Sequence, residues 1–304
     1  MKRVAVLMGG ISSEREISLQ SGQGVLQALN EAGYSAFPID LTHNLDDFVQ
    51  ILKREKPDVV FNALHGKYGE DGCVQGILNL LQIPYTHSGV AASAVAMNKR
   101  LAKKVAADIG LTVAAEKMVQ KQDILDEDSM PMPFVIKPND EGSSVGVFII
   151  KTQKEKQKMV SLWPFEKPVM MEEYIPGVEI SVAVSDEKAF GVVEIVPCSG
   201  FYDFTNKYAQ GGAEHIIPAR IPEKIYNEAM RQAFLLHQEL GCRGVSRSDF
   251  RYDNIAGEDK LVFLEINTNP GMTPISLVPE LAKHQGMSYR DLVVWLVERA
   301  KCDA

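Results

Sequence analysis

The sequence predicts an α/β fold at its N-terminus, a doubly wound parallel sheet, followed by α+β units. Apolar strands alternate with helical stretches over roughly the first 90 residues, which is typical of parallel strands joined by crossover helices. Beyond them, short strands follow one another with few helices between. A length of 304 residues suits two or three domains, at roughly 150 residues each. We therefore expect three domains, at residues 1–92, 93–185 and 186–304.

The first domain begins with an apolar strand at residues 3–8. Ser13 and Glu16 have the spacing of a capping box, so a helix is expected to begin there. Further strands are predicted at residues 34–39 and 59–64, each separated from the previous strand by a helical stretch. This order of elements predicts a parallel sheet with helices on both faces.

The remaining chain is predicted to be helical and Ala-rich from about residue 90 to Gly110, and helical again at residues 222–241. Its strands are predicted at residues 134–137, 145–151, 169–174, 179–184, 244–252 and 261–267. Residues 197–218 are expected to form one irregular stretch. Loops of about twenty residues are uncommon inside compact domains and often carry function.

Composition excludes several classes of partner. The formal net charge is −8 and the pI is near 5.4, so no basic surplus exists to bind a nucleic-acid backbone. The uncharged stretch at residues 72–98 is interrupted by polar side chains and does not read as a membrane span. The four cysteines lie far apart in the sequence, which argues against disulfide and zinc frameworks. We expect a cytoplasmic protein with no nucleic-acid or membrane partner.

Three polar residues near the C-terminus, Asp249, Glu265 and Asn267, form a candidate metal site beside Arg247. The two-residue period of the strand at residues 261–267 puts Glu265 and Asn267 on one face, and Arg247 and Asp249 share a face of the preceding strand. Oxygen ligands without His or Cys favour Mg²⁺. An ion pair between Arg247 and a carboxylate across the two strands is the alternative, and spacing alone leaves both interpretations open.

A Gly- and Ser-rich turn at residues 141–146 favours the metal interpretation. Glycine amides and serine hydroxyls bind phosphate, and Lys137 just before the turn supplies a positive charge. The turn also matches Gly-x-Ser-x-Gly, which would make Ser144 the nucleophile of a hydrolase. That motif requires a helix after the serine, whereas a strand is predicted here. Neither a dinucleotide fingerprint nor a Walker A motif occurs, so a flap is expected to hold the phosphate.

Two further turns, at residues 9–14 and 65–72, follow strands of the parallel sheet. Doubly wound sheets bind small ligands at this edge. Each residue also has a simpler interpretation on its own. Glu14 could be an acid that the helix dipole favours, and His65 could be an ordinary loop histidine. Their shared placement favours a ligand site.

These motifs together resemble those of the D-alanine–D-alanine ligases, which are ATP-grasp enzymes. The resemblance runs essentially from end to end and rests on Gly9-Gly10 with Ser13-Glu14-Arg15-Glu16, His65-Gly66 with Gly69-Glu70-Asp71-Gly72, Lys137-Pro138 with residues 141–146, and residues 265–273. It implies an ATP-grasp fold, in which ATP lies between the central and C-terminal α+β lobes. The N-terminal doubly wound domain then supplies substrate contacts.

The resemblance also implies a reaction. ATP phosphorylates the carboxylate of one D-alanine, and the amine of a second D-alanine attacks the acyl phosphate. The dipeptide supplies peptidoglycan precursor synthesis, and so cell-wall biogenesis and cell shape. Two Mg²⁺ ions, for which Mn²⁺ can substitute, would bind Asp249, Glu265 and Asn267. A cytoplasmic homodimer is the expected assembly.

Residue roles follow from the same resemblance. Matches to the nucleotide site are Lys99, Lys137, Ser143, Ser144, Glu172, Glu173, Tyr174, Ile175, Glu179 and Lys207. Matches to the amino-acid sites are Glu14 and His65 for the first substrate and Ser276 and Leu277 for the second. Matches to the catalytic groups are Glu14, Ser143, Tyr208, Arg247 and Gly271, of which Arg247 and the Gly271 amide would stabilise the oxyanion.

Two alternatives remain at this point. Another ATP-grasp carboxylate–amine ligase would carry the same flap and metal residues. A non-catalytic nucleotide sensor would be expected to lack Arg247 or a metal ligand, and all are present. Residues 201–208 look like the family's closing loop, and the Lys207-Tyr208 pair within it argues for a dipeptide product over D-alanyl-D-lactate.

Overall fold

The computed structural model describes residues 1–125, 130–142, 145–165, 167–198, 212–255 and 259–303. The predicted site residues Ser143, Ser144, Lys207 and Tyr208 lie outside these ranges. The strands are β1 (Arg3–Gly9), β2 (Ser35–Leu41), β3 (Val59–Asn62), β4 (Glu116–Val119), β5 (Phe134–Lys137), β6 (Phe148–Ile150), β7 (Val169–Glu173), β8 (Val178–Ser185), β9 (Ala189–Pro197), β10 (Ala213–Ile216), β11 (Val245–Asp253) and β12 (Lys260–Asn267). The helices are α1 (Arg15–Glu31), α2 (Leu45–Glu55), α3 (Cys73–Leu80), α4 (Val90–Met97), α5 (Lys99–Asp108), α6 (Lys121–Leu125), α7 (Gln153–Ser161), α8 (Glu223–Glu239), α9 (Leu277–His284) and α10 (Tyr289–Glu298).

The N-terminal sheet has the parallel order β2-β1-β3. Alternate residues of β1 enter two different cores, since Val4 and Val6 pack with α1 whereas Ala5 and Leu7 pack with α2. Helices therefore cover both faces of the sheet. The predicted doubly wound domain is confirmed.

The predicted capping box at Ser13 is wrong. Helix α1 begins at Arg15 with Glu14 as its N-cap residue, and no side chain caps it. Instead, the Ser12 hydroxyl accepts a hydrogen bond from the Glu14 amide at 3.2 Å and donates one to the His65 carbonyl at 2.6 Å. The turn is thus fixed by the loop after β3, a tertiary contact that a local sequence pattern does not reveal.

The second sheet is antiparallel, with the order β4-β7-β5-β6. The strand predicted at residues 145–151 is shorter than expected, because Val145 and Gly146 form a turn and Gly146 has a φ of 70°. The Val145 amide bonds to the Gly142 carbonyl at 3.1 Å. Strand β4 was not predicted.

The third sheet is antiparallel, with the order β10-β9-β8-β11-β12. The prediction of an irregular stretch at residues 197–218 is wrong at Ala213–Ile216, because these residues form a strand that pairs with β9. This edge strand is short and half-exposed, so its sequence lacks an apolar alternation. The second sheet ends its last strand at Glu173, and the third sheet begins its first strand at Val178. The three predicted domain ranges stay a prediction.

Two helical layers cover the third sheet. Helices α5 and α8 pack on one face, and α9 and α10 share a core with the other face, with α1 and with β1. The C-terminal helices therefore join the third sheet to the N-terminal sheet. Among the described residues, no helix is long and apolar enough to span a bilayer.

A comparison of two glycines tests the connection between the second and third sheets. Gly177, just before β8, has a φ of 92°, and a Cβ there would overlap the carbonyl oxygen of Tyr252. Gly33 has a similar φ of 85°, with nothing within 4 Å of an added Cβ. Both alanine variants carry backbone strain of about 1 kcal/mol. Because Gly177→Ala adds a clash with backbone, we expect it to lose at least about 2 kcal/mol more than Gly33→Ala. Urea unfolding of both variants measures the difference, and equal losses would contradict this contact.

Candidate active site

A cavity of about 280 Å³ lies where the N-terminal sheet meets β11 and β12. Ten of the predicted site residues line it: Glu14, His65, Lys99, Arg247, Asp249, Glu265, Asn267, Gly271, Ser276 and Leu277. The six other described ones, which do not line it, are Lys137, Glu172, Glu173, Tyr174, Ile175 and Glu179. The structure thus brings residues from both ends of the chain into one cavity.

The register of β11 and β12 fixes the acidic part of the cavity. Asp249 lies opposite Glu265, and Arg247 lies opposite Asn267. The Arg247 guanidinium donates Nε and Nη2 to the two oxygens of Asp249, both at 2.9 Å. Ser181 on β8 donates its hydroxyl to Asp249 Oδ1 at 2.5 Å. An ion pair is therefore present, but it joins two residues of β11 and does not cross from one strand to the other as the alternative expected.

The same groups have the donor chemistry for Mg²⁺. They offer two carboxylates and one amide oxygen, and Mg²⁺ in proteins is usually held by one or two carboxylates together with substrate phosphates. Within the described ranges, no group of three or more His, Cys, Asp or Glu side chains is arranged to hold a metal ion. Lys99 Nζ lies 3.2 Å from Glu265 Oε2 and balances its charge. The predicted ligand set fits this kind of shared site, and the assignment stays a prediction.

A cluster of buried lysines and glutamates lies beside α5. Lys137 Nζ donates to Glu172 Oε2 at 2.6 Å, and Lys103 Nζ contacts the other carboxylate oxygen of Glu172. Burial lowers the pKa of Lys137 to about 8. Burial, together with the nearby charge of Lys137, lowers the pKa of Lys103 well below its usual value. Lys103 was not predicted as a site residue, although it follows Lys99 by one helical turn and so shares its face of α5.

The segment between the second and third sheets is held by Arg251. This guanidinium donates to the carbonyl of Ile175 at 3.1 Å and to that of Gly177 at 2.8 Å, and it lies 3.3 Å from Glu179 Oε2. Arg251 was also missed. Its signal was the two-residue period, because it follows Asp249 on the same face of β11.

The N-terminal turns meet inside the cavity. Glu14 is 5% exposed, and a Cβ at Gly142 would lie 3.0 Å from Glu14 Oε2, so the start of the predicted flap lies against this carboxylate. Lys99 Nζ reaches the same segment and donates to the carbonyl of Glu141. His65 is buried between Ser21 and Glu70. Glu70 belongs to one of the motifs that carry the resemblance, but no role was predicted for it.

The loop after β12 lines part of the cavity. Asn269 donates its side-chain amide to the Leu64 carbonyl at 2.7 Å, which ties this loop to the segment just after β3. Ser276 is the N-cap residue of α9, and Leu277 is the first residue of that helix. A helix N-terminus facing a cavity is a suitable place for an anion. Ser276 and Leu277 therefore lie where a carboxylate could bind.

Known proteins resemble this chain along nearly its whole length. A model described as D-ala D-ala ligase N-terminus matches residues 3–56 and 44–88, and one described as D-ala D-ala ligase C-terminus matches residues 105–298. The D-alanine–D-alanine ligase of Paramagnetospirillum magneticum is 50% identical over 305 residues, with 99% of each chain covered. That of Parvibaculum lavamentivorans is 52% identical over 306 residues, covering 99% of this chain and 98% of the relative. A crystal structure of D-alanine–D-alanine ligase from Bacillus anthracis complexed with ATP is 29% identical, has a TM-score of 0.83, and covers 98% of this chain and 97% of that chain. The resemblance seen in the motifs is confirmed.

The buried cluster gives a prediction about stability. Replacing Glu172 by Gln leaves the amines of Lys103 and Lys137 without their carboxylate, and breaking a buried ion pair typically costs about 3–5 kcal/mol. Glu173 is the exposed neighbour on the same strand, so Glu173→Gln is a matched control that should change stability by less than about 0.5 kcal/mol. Urea unfolding at pH 7 measures both variants. If Glu172→Gln left the free energy of unfolding nearly unchanged, the buried lysines would not need this carboxylate for stability.

Proposed function

Because the chain belongs to the D-alanine–D-alanine ligase family, we propose that it joins two D-alanine molecules with the cleavage of ATP to ADP and phosphate. The observation that carries this proposal is the single cavity that unites Glu14, Arg247, Gly271 and the N-terminus of α9. Joining two amino acids requires a site for the ammonium group of the first, a site for the oxyanion of the intermediate, and a site for the carboxylate of the second. The dipeptide would serve as a precursor of peptidoglycan.

The first step requires two anions to approach each other. The carboxylate of the first D-alanine attacks the γ-phosphorus of ATP, which forms an acyl phosphate and releases ADP. Glu14 would hold the ammonium of this D-alanine, while the charges of Lys99 and Lys137 attract the phosphates. Asp249, Glu265 and Asn267 would hold Mg²⁺, which neutralises phosphate charge when it is bound.

The second step forms the peptide bond. The amine of the second D-alanine attacks the acyl carbon, and the tetrahedral intermediate then expels phosphate. Arg247, held in place by its two bonds to Asp249, and the Gly271 amide would stabilise the oxyanion. The second carboxylate would bind at Ser276 and Leu277, where the helix dipole of α9 favours negative charge.

Further parts of the proposal concern the flap, the predicted closing loop and the nucleoside contacts. The flap serines and the loop residues lie outside the described ranges. Ser143 and Ser144 would bind phosphate in the flap, and Lys207 and Tyr208 would belong to a closing loop that keeps water from the acyl phosphate. Glu173, Tyr174, Ile175 and Glu179 would contact the nucleoside. The family resemblance alone supports these roles. It also supports two Mg²⁺ ions per site, replacement by Mn²⁺, a homodimer and a cytoplasmic location.

A product assay tests the function. The protein is incubated with MgATP and D-alanine at neutral pH, and mass spectrometry and a phosphate assay follow the products. We expect one phosphate per D-alanyl-D-alanine formed, and no dipeptide with L-alanine. When D-lactate is added in place of the second D-alanine, no depsipeptide should form. ATP hydrolysis without dipeptide would reject the ligase proposal, and a depsipeptide product would reject the predicted role of the Lys207-Tyr208 pair.

Loss of one carboxylate tests the metal assignment. Glu265→Gln keeps the side-chain shape but removes a charge from the set that would hold Mg²⁺. Since metal neutralisation of phosphate contributes several kcal/mol, phosphate release should fall by about 100-fold or more. Glu239→Gln, at an exposed position near the end of α8, controls for the substitution itself. A near-normal rate for Glu265→Gln would remove this residue from the metal site.

A further inference from the structure

A buried hydrogen-bonded chain connects the two halves of the cavity. His65 Nδ1 lies 3.2 Å from Glu70 Oε1, and His65 Nε2 lies 3.0 Å from Ser21 Oγ. Ser21 Oγ in turn accepts a hydrogen bond from the Met272 amide at 3.4 Å. Ser21, His65 and Glu70 are 0%, 5% and 7% exposed, so water does not compete freely with these bonds. We propose that Ser21 is a positioning residue that holds His65 in one tautomer and links it to the loop carrying Gly271.

The donors and acceptors determine the tautomer. A backbone amide can only donate, so Met272 occupies one lone pair of the Ser21 hydroxyl. Within the described part of the chain, the acceptor for the Ser21 proton is His65 Nε2. His65 Nε2 therefore carries no proton, and Nδ1–H donates to the Glu70 carboxylate. The opposite tautomer would leave the buried Ser21 proton without an acceptor and would turn the Nδ1 lone pair toward a carboxylate, and both are costly.

The chain of hydrogen bonds also reaches the turn that carries Glu14, through the backbone of His65. Its carbonyl accepts from Ser12 Oγ at 2.6 Å, and Ser12 Oγ accepts from the Glu14 amide at 3.2 Å. His65 thus bonds to the turn of Glu14 through its backbone carbonyl, and its ring is linked to the loop of Gly271 through the Ser21 hydroxyl. Both ring nitrogens are already engaged within the protein. His65 therefore acts on the reaction by holding these two segments in register, an inference that rests on the proposed function of Glu14 and Gly271.

The same helix offers a matched control. Ser18 lies one turn before Ser21 on α1, is also 0% exposed, and donates its hydroxyl to the Ala63 carbonyl at 2.8 Å. Ser18→Ala and Ser21→Ala each remove one buried hydroxyl from the same face. Of these two hydroxyls, that of Ser21 bonds to His65 and to the loop of Gly271, whereas that of Ser18 bonds to the Ala63 carbonyl. A purely structural role for these hydroxyls predicts similar effects of both substitutions.

The first measurement is the tautomer in the wild-type protein. Long-range ¹H–¹⁵N spectra of the full chain, labelled with ¹⁵N-histidine, distinguish the two tautomers, and the His65→Gln spectrum assigns the signal of His65. We expect Nδ1–H with an unprotonated Nε2. A signal from Nε2–H or from the doubly protonated ring would overturn the proposal. This readout needs no activity, so it stays informative even if the product assay rejects the ligase function.

The second measurement separates positioning from stability. In Ser21→Ala, kcat for dipeptide synthesis should fall about tenfold, as expected for the loss of one hydrogen bond that orients a catalytic group. KM for ATP should stay within about twofold, because the bonded chain does not include Lys99 or Lys137. Ser18→Ala should keep kcat within about twofold while its melting temperature falls as much as that of Ser21→Ala. Equal losses of kcat in the two variants would overturn the proposal, and if Ser21→Ala does not fold, the tautomer of the wild-type protein decides.

Discussion

The antiparallel ladder between β11 and β12 is the constraint on which the rest of the site depends. It sets Asp249 opposite Glu265 and Arg247 opposite Asn267, and then shifts register between Asp249 and Phe250. Opposite residues of an antiparallel pair lie on the same face, so all four polar side chains point toward the cavity. Directly beyond the shift, Phe250 and Phe263 lie opposite each other and are fully buried in the core under α8. A bulge next to an active site allows this abrupt change from polar to apolar pairs.

Charge pairing explains how so many ionised groups tolerate burial in this region. A buried carboxylate is stable only when a cation or hydrogen-bond donors compensate it. Asp249 is paired with Arg247, Glu265 with Lys99, and Glu172 with two lysines. Burial of Lys137 beside Glu172 still has a cost in free energy, because burial disfavours the charged amine and so lowers its pKa. An anionic nucleotide phosphate near Lys137 would relieve that cost, because it would favour the charged amine. The unfavourable burial of the charged lysines is thus compatible with a phosphate-binding role.

The sequence predicted those features that follow from regular periods. The two-residue period of β11 and β12 was sufficient to group Arg247, Asp249, Glu265 and Asn267, because strand geometry leaves little freedom in side-chain direction. The alternation of strands and helices was sufficient for the doubly wound domain. The Ser13 capping box failed, since Ser12 finds its partner at His65, 53 residues away. Lys103 and Arg251 were missed for the same reason: a lysine or arginine on an exposed face and one on a buried face look alike until the opposing carboxylate is known.

The position of the cavity follows from a core shared between distant segments. Residues of β1, α1, β9, α9 and α10 form one apolar cluster, so the N-terminal sheet and the third sheet pack as a unit beneath the cavity. Two polar contacts above that core complete the connection, from Asn269 to the Leu64 carbonyl and from the Met272 amide to Ser21. The segments they join are separated by 205 and 251 residues. Closing such long loops costs conformational entropy that polar contacts alone would not offset, whereas burial of the shared apolar core does. The core therefore brings the two loops together, and the buried hydrogen bonds then determine how Glu14 and Gly271 face each other.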